Sequence, residues 1–309
     1  MSIFWAERVI QNINDTGVST YFVDFELQDD NTYQYRWSAL INLMQKALVD
    51  FAYGIHEWWS VANQDIQEKL VEAARSIYQI KEFQETKRIY EEWNFIADND
   101  EEKKYLRRGE FGELILHILL RDFHSTIPLL SKIYFKDSYN HTVHGFDAVH
   151  IQGSTKTLWL WESKLYTDSK AGIDNLIGDI KTHFQSNYLR SEFSIISKKV
   201  RWSNIVDIVD RDFWLNLMNN QTRLQEILNS VTIPLLCTYS SWNFDTYSGT
   251  LEGKIKEESK ALKAYFDRKN DHPLKTHLNI LLLLFPVRCK KELVKRMHEK
   301  LFTIQSLND

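Results

Sequence analysis

The 309-residue sequence predicts an α/β protein in which a mixed sheet is flanked by helices, preceded by a mostly helical α+β N-terminal region. Three observations carry that expectation. Stretches with apolar residues at helical spacing alternate with short apolar runs rich in β-branched and aromatic residues. Hydrophobic residues make up 43% of the chain and aromatics 13%, with 10 Trp, so a large core can be filled. A net charge of only -4 with 10 Gly and 4 Pro excludes collagen-like, low-complexity and disordered classes.

Residues 20–27 place Tyr21, Val23, Phe25 and Leu27 on one side, the period of two of a half-buried strand. From Trp37, the positions Leu40, Ile41, Met44, Leu48 and Phe51 follow one helix face. A second helix is expected after Asn63, a suitable N-cap, with Ile66, Leu70, Ala74 and Ile77 as its stripe. From Ala97 to Lys104 the chain reads as a solvated connector, which sets the expected boundary between a region 1–98 and a domain 105–309. Beyond it, a helix at 110–121 turns Phe111, Leu114, Ile115, Ile118 and Leu119 inward. Pro128 breaks the chain, and strands are expected at 132–135, 146–152 and 157–166. A helix over 171–189, core strands at 233–238 and 278–287, and a closing helix at 290–301 complete the pattern, with further helices between.

Several function classes lack their signatures. Cys237 and Cys289 make neither a disulfide framework nor a four-cysteine zinc site, and no signal segment opens the chain, so a reducing, cytoplasmic compartment is expected. The longest apolar run, Leu278 to Val287, is shorter than the roughly 18 residues that span a bilayer, so no membrane insertion is expected. A pI near 6.2 gives no general attraction to nucleic acid, and a DNA-handling role would need a local basic groove or a partner. Phosphate-loop, dinucleotide-binding and nucleophile-elbow motifs are missing, which assigns any ATP-driven step to a partner.

The most informative segment is Leu158-Trp159-Leu160-Trp161-Glu162-Ser163-Lys164-Leu165-Tyr166. A strand's period puts Glu162 and Lys164 on one face beside Leu158 and Leu160. Burying such charges costs several kcal/mol unless they are paired or bind a metal; the plain alternative is a salt bridge at a strand end. The spacing alone recurs, for example at Glu85 and Lys87 and at Asp179 and Lys181, so context must distinguish it. That context is Gly145-Phe146-Asp147-Ala148-Val149-His150, which a hairpin would bring alongside, with Asp147 near Glu162. Upstream, Gly109-Glu110-Phe111-Gly112-Glu113 opens a helix on which Glu110, Glu113 and His117 share the face opposite the apolar stripe.

A helix with Glu, a strand with Asp, a strand with Glu-x-Lys and a further helix resemble the PD-(D/E)XK, restriction-endonuclease-like core. That resemblance implies a metal-dependent phosphodiesterase. Asp147 and Glu162 would be the principal ligands of Mg²⁺ (or Mn²⁺), and Glu113 a further one, directly or through water. Lys164 would orient the attacking water or stabilise the charged transition state.

The three quoted blocks together also resemble the HamA family, nucleases of the bacterial Hachiman anti-phage system, and the related AbpA proteins. The resemblance runs over roughly residues 100–300, including Phe285-Pro286-Val287 and the basic helix after it. It implies a DNA nuclease that works with, and is restrained by, a helicase subunit (HamB in Hachiman). Region 1–98 is the candidate for docking that partner. The competing reading is a non-catalytic DNA-binding or scaffold subunit that docks the helicase.

Other residues carry two readings each. His141, His144 and His150 lie close enough to suggest zinc, or are surface or supporting histidines; His117 reads as supporting or structural. Lys181, His183 and Gln185 either approach a phosphate or form a solvated helix face. Lys198, Lys199 and Arg201 beside Trp202, and Arg288, Lys290, Lys291, Lys295 and Arg296, suit phosphate contacts or simply solubilise the surface.

Overall fold

A computed structural model describes residues 9–15, 17–53, 65–77, 109–130, 148–202, 210–219 and 221–308. In chain order these form β1 (Ile10–Asp15), β2 (Val18–Phe22), β3 (Phe25–Leu27), β4 (Tyr33–Tyr35), α1 (Trp37–Tyr53), α2 (Ile66–Ile77), α3 (Gly109–His124), β5 (Ile127–Leu130), β6 (Ala148–Gln152) and β7 (Thr157–Tyr166). Then follow α4 (Ser169–His183), α5 (Ser186–Trp202), α6 (Arg211–Leu217), α7 (Leu224–Asn229), β8 (Val231–Ser240), α8 (Leu251–Lys269), β9 (Asn279–Val287) and α9 (Lys290–Gln305). Seven strands make one mixed sheet in the order β1-β2-β9-β8-β7-β6-β5, and β3 and β4 form a separate hairpin. The four central strands β2, β9, β8 and β7 are parallel, and antiparallel pairs close both edges.

Central parallel strands are covered on both faces, so they read as continuous apolar runs; β8 is buried from Val231 to Tyr239. The same burial explains why the expected strand at 20–27 is two pieces. β2 lies between β1 and β9 with both faces covered, whereas Asp24 accepts a hydrogen bond from the Phe25 N–H at 2.7 Å and β3 leaves the sheet. Leu27 ends up 53% exposed rather than inward.

Two prolines sit where a missing N–H is tolerated. Pro128 does not simply break the chain but lies in β5, the edge strand. Pro234 interrupts the β7–β8 ladder between Trp159↔Thr232 and Glu162↔Leu235, and the register resumes unchanged. The expected helix over 171–189 is two helices. Its apolar stripe shifts phase between Phe184 and Leu189, and a turn there lets both α4 and α5 bury their stripes in one cluster. The expected strand at 132–135 and the start of the one at 146–152 lie outside the described residues; β6 is described from Ala148.

The core has a cluster on each side of the sheet. On one, Trp159, Trp161 and Leu165 of β7 pack with α1, α2, α3 and α9. On the other, Leu158 and Leu160 pack with α4 and α5. Residues from both sides of the 97–104 connector share the first cluster, and β2 joins the sheet beside β9, Val18 opposite Leu282.

Candidate functional site

β7 is apolar on the α4 side until Glu162, which is 2% exposed, and Lys164 follows on the same face. α4 lies over this face. Asp168 caps its N-terminus by accepting from the Ala171 N–H at 2.7 Å, which sets the helix phase. Gly172 permits the close approach, because a Cβ there would lie 2.6 Å from Cys237 Sγ on β8. Four-residue spacing then presents Asp179 and His183 to the strand.

The result is two acid–base pairs side by side. His183 Nδ1 donates to Glu162 Oε1 at 2.6 Å, and Lys164 Nζ lies 2.6 Å from Asp179 Oδ2. The His183 ring stacks on Tyr188 of α5, centroids 4.8 Å apart and planes at 15°. One turn further along α5, Glu192 is 5% exposed and has no hydrogen-bond or ion-pair partner among the described residues.

The electrostatics follow from this packing. The hydrogen bond to Glu162 holds the His183 pKa above its ordinary value, against the effect of burial, with Asp179 adding to the rise and Lys164 opposing it. Burial pushes the Glu192 carboxyl up, and His183 partly offsets that. Burial, with the nearby Glu192, Glu162 and Asp179, raises the Tyr188 hydroxyl to about 12. The site therefore brings together an imidazole, an ammonium and three carboxyl groups, among which a proton can be held or passed.

The site residues read from the sequence are distributed unevenly. Glu162 and Lys164 share a face as expected, each with a partner from α4. Asp147 lies outside the described residues, as do His141 and His144; Ala148, the first described residue of β6, stands opposite Trp161. Glu113 is buried on α3, whose Phe111 and Leu114 pack in the cluster of Trp159 and Trp161, on the opposite side of the sheet from the Glu162 side chain. Among the described residues, no group of three or more His, Cys, Asp or Glu is placed to hold a metal ion. Lys181 pairs with Asp271 at 2.6 Å on the surface, and Gln185 donates to the Lys181 carbonyl, so of those three only His183 enters the site.

The model of the HamA family matches residues 1–301. The chain belongs to the HamA family. Membership associates it with Hachiman-related anti-phage defence, and the match includes the N-terminal region as well as the strand that carries Glu162 and Lys164. No curated protein and no solved structure matches.

The HamA-family chain has a second polar cluster on the α3 side of the sheet. Asp50 of α1 accepts from His117 Nε2 at 2.7 Å and from Arg121 Nη1 at 2.5 Å. His117 Nδ1 meets His150 Nε2 at 3.3 Å, and His150 Nδ1 meets the Thr126 hydroxyl at 2.9 Å. His117 therefore faces Asp50 and His150, and His150 is a core residue rather than a surface one. Burial, with His117 beside it, holds the His150 pKa well below its ordinary value. Burial alone would raise the Asp50 pKa, but His117 and Arg121 outweigh it and leave it lowered.

Asp50, Asp179, Tyr188 and Glu192 were not singled out from sequence. Asp50 did carry a signal, a lone acid in the apolar stretch Ala47-Leu48-Val49-Asp50-Phe51-Ala52. The other three carry none until α4 and α5 are placed over β7. No helix among the described residues is long and apolar enough to cross a membrane.

Proposed function

We propose that the chain is a Mg²⁺- or Mn²⁺-dependent DNA nuclease of PD-(D/E)XK type, the cytoplasmic effector of a Hachiman-type defence system restrained by a helicase subunit. The observation that carries this reading is the buried Glu162 two residues before Lys164 on one face of a central strand, with an α4 side chain fixing each. The order α3, β5, β6, β7, α4 and then parallel β8 supports it, because it is the helix, three-strand, helix, strand succession of that core.

The donor set suits a hard cation in chemistry, since Glu162 offers carboxylate oxygen with a cationic neighbour to balance charge. The described residues do not complete a ligand set. In this reading Asp147 supplies the second ligand, whereas Glu113, expected as a further one, lies on the other side of the sheet from the Glu162 side chain and is not part of the ligand set. Bound there, a divalent ion supplies an activated water and neutralises phosphate charge. The chain's own groups do the rest. His183 fixes the orientation of the Glu162 carboxylate, Asp179 positions the Lys164 ammonium, and Lys164 steadies the negative charge that develops at the phosphate.

One observation favours the scaffold reading. Glu162 and Lys164 already have charge partners, as structural ion pairs would. Incubating plasmid and linear DNA with the purified chain, with and without its helicase, in Mg²⁺, Mn²⁺ or EDTA separates the two. Cleavage that needs the ion and disappears in Glu162→Ala and Lys164→Ala, with circular dichroism unchanged, is the expected result. Cleavage that survives Glu162→Ala would overturn the site, and no cleavage under any of these conditions would favour the scaffold.

A further inference from the structure

Large apolar side chains are mostly inside this molecule, yet Trp242 is 87% exposed at the carboxyl end of β8. Its backbone is firmly held. Ser241 N–H donates to the Val287 carbonyl at 2.9 Å, and both Ser241 Oγ and Asn243 Nδ2 donate to Glu258, at 2.8 and 3.0 Å. Phe244, two residues on, is buried against Phe22 and Tyr35. An indole has thus been placed in solvent on a rigid mount.

The same bonds set Trp242 beside the most basic stretch of the chain. Val287 precedes Arg288, and the Lys290 N–H donates to Ser240 Oγ at 2.9 Å. Arg288 and Lys291 are exposed and have no ion-pair partner among the described residues. Lys290 Nζ lies 5.8 Å from the ring centroid of Tyr166, which shares the β7 face of Glu162 and Lys164. The neighbouring acids are largely committed. Glu258 accepts the two bonds from the turn and Glu292 pairs with Arg296 at 2.6 Å.

We infer that Trp242 is a stacking platform for a base of an unpaired DNA strand, whose phosphates are held by Arg288, Lys290 and Lys291 and whose course leads past Tyr166 toward Lys164. The inference rests on the nuclease reading and deepens it by naming the form of the substrate. Charge complementarity selects the occupant. An exposed indole set beside the basic stretch suits a polyanion with stacking faces. Paired bases keep their faces stacked on each other, so an unpaired strand is the form that can use the ring. The position is also where open parallel sheets bind ligands, beyond the carboxyl ends of their strands. A chain of net charge -4 needs such a local cationic track to hold DNA at all.

The test is fluorescence anisotropy of the full chain with a labelled 20-nucleotide oligo-dT, in EDTA so that nothing is cleaved. Trp242→Ala should weaken binding roughly 5- to 150-fold, from the usual worth of one stacked base, with the salt dependence unchanged. Trp242→Phe should restore part of the loss. Arg288→Gln with Lys291→Gln should instead flatten the slope of log affinity against log salt by about 1.4, at about 0.7 per phosphate contact. A duplex of the same length should not respond to Trp242→Ala. No oligonucleotide binding, unchanged binding in Trp242→Ala, or an equal loss for duplex would each overturn the inference. Glu162→Ala measured alongside keeps the two readings apart. It should bind the oligonucleotide like the wild type and fail to cleave; cleavage by Glu162→Ala with the Trp242 effect intact would sink the nuclease site and leave the track.

Discussion

Glu162 and His183 illustrate what one hydrogen bond can do for a buried carboxylate. The bond at 2.6 Å favours the charged imidazole and orients the carboxyl group. Partners of this kind are typically worth about 10- to 100-fold in metal affinity or activity, so His183→Ala should lower Mn²⁺-supported cleavage by that factor and His183→Asn by less. The pair also has a pH signature. His183 has its pKa raised by folding, so its stabilising contribution is complete below the ordinary value of 6.5 and is lost as pH rises through the raised one. In urea titrations the stability gap between wild type and His183→Asn should therefore be wider at pH 6 than at pH 9, and equal gaps would refute the pairing. Asp50 works in the opposite sense. Its lowered carboxyl stabilises the fold above the ordinary value of 3.8 and ceases to do so as pH falls through the depressed value. Asp50→Ala leaves His117 Nε2 without its acceptor and Arg121 without one of its two carboxylate partners, Asp122 remaining at 2.8 Å, and a loss of about 3 kcal/mol at pH 7, the low end for a broken buried pair, is expected from chemical denaturation. A loss below about 1 kcal/mol would mean that the cluster is not closed in solution.

At the scale of elements, α4 is what turns a strand motif into a site. Its first turn is pressed against β8 through Gly172 and Cys237, and its last two turns deliver Asp179 and His183. Gly172→Ala places a methyl 2.6 Å from Cys237 Sγ, and should cost about 1–3 kcal/mol as an overpacked core position. Cys237→Ala in the same chain should return most of that loss, since it removes the clashing atom. Thermal melts of the two single variants and the double variant test this as a cycle, and a simply additive result would show that the helix does not rest on that contact. The same elements show what was legible beforehand. β7 was read residue for residue at 157–166, because its run is bounded by turn residues and its polar pair follows the strand period. The break between α4 and α5 was not, since a phase shift in an apolar stripe is also compatible with one longer helix.

At the scale of the molecule, the sheet runs through regions that composition alone separates. β2 is hydrogen-bonded to β9, and α1 shares a core cluster with α3 and α9. A chain starting at residue 105 would expose the β9 edge together with the apolar surface that α1 and β2 cover. It should aggregate or fail to express in soluble form; a soluble, cooperatively melting fragment would show that the C-terminal part folds alone. The family match over residues 1–301 accords with a single inherited unit that includes the first strands.

By itself the sequence determined the α/β class, most element positions, the side-by-side placement of Glu162 and Lys164, and membership of the HamA family. Those properties depend on local periodicity and short blocks, which are written contiguously in the chain. Tertiary structure decided the partners: His183 for Glu162, Asp179 for Lys164, and Asp50 for His117 and Arg121. Such pairings join residues up to 71 positions apart, and only the register of parallel strands and the phase of the helices laid across them bring those side chains within hydrogen-bonding reach.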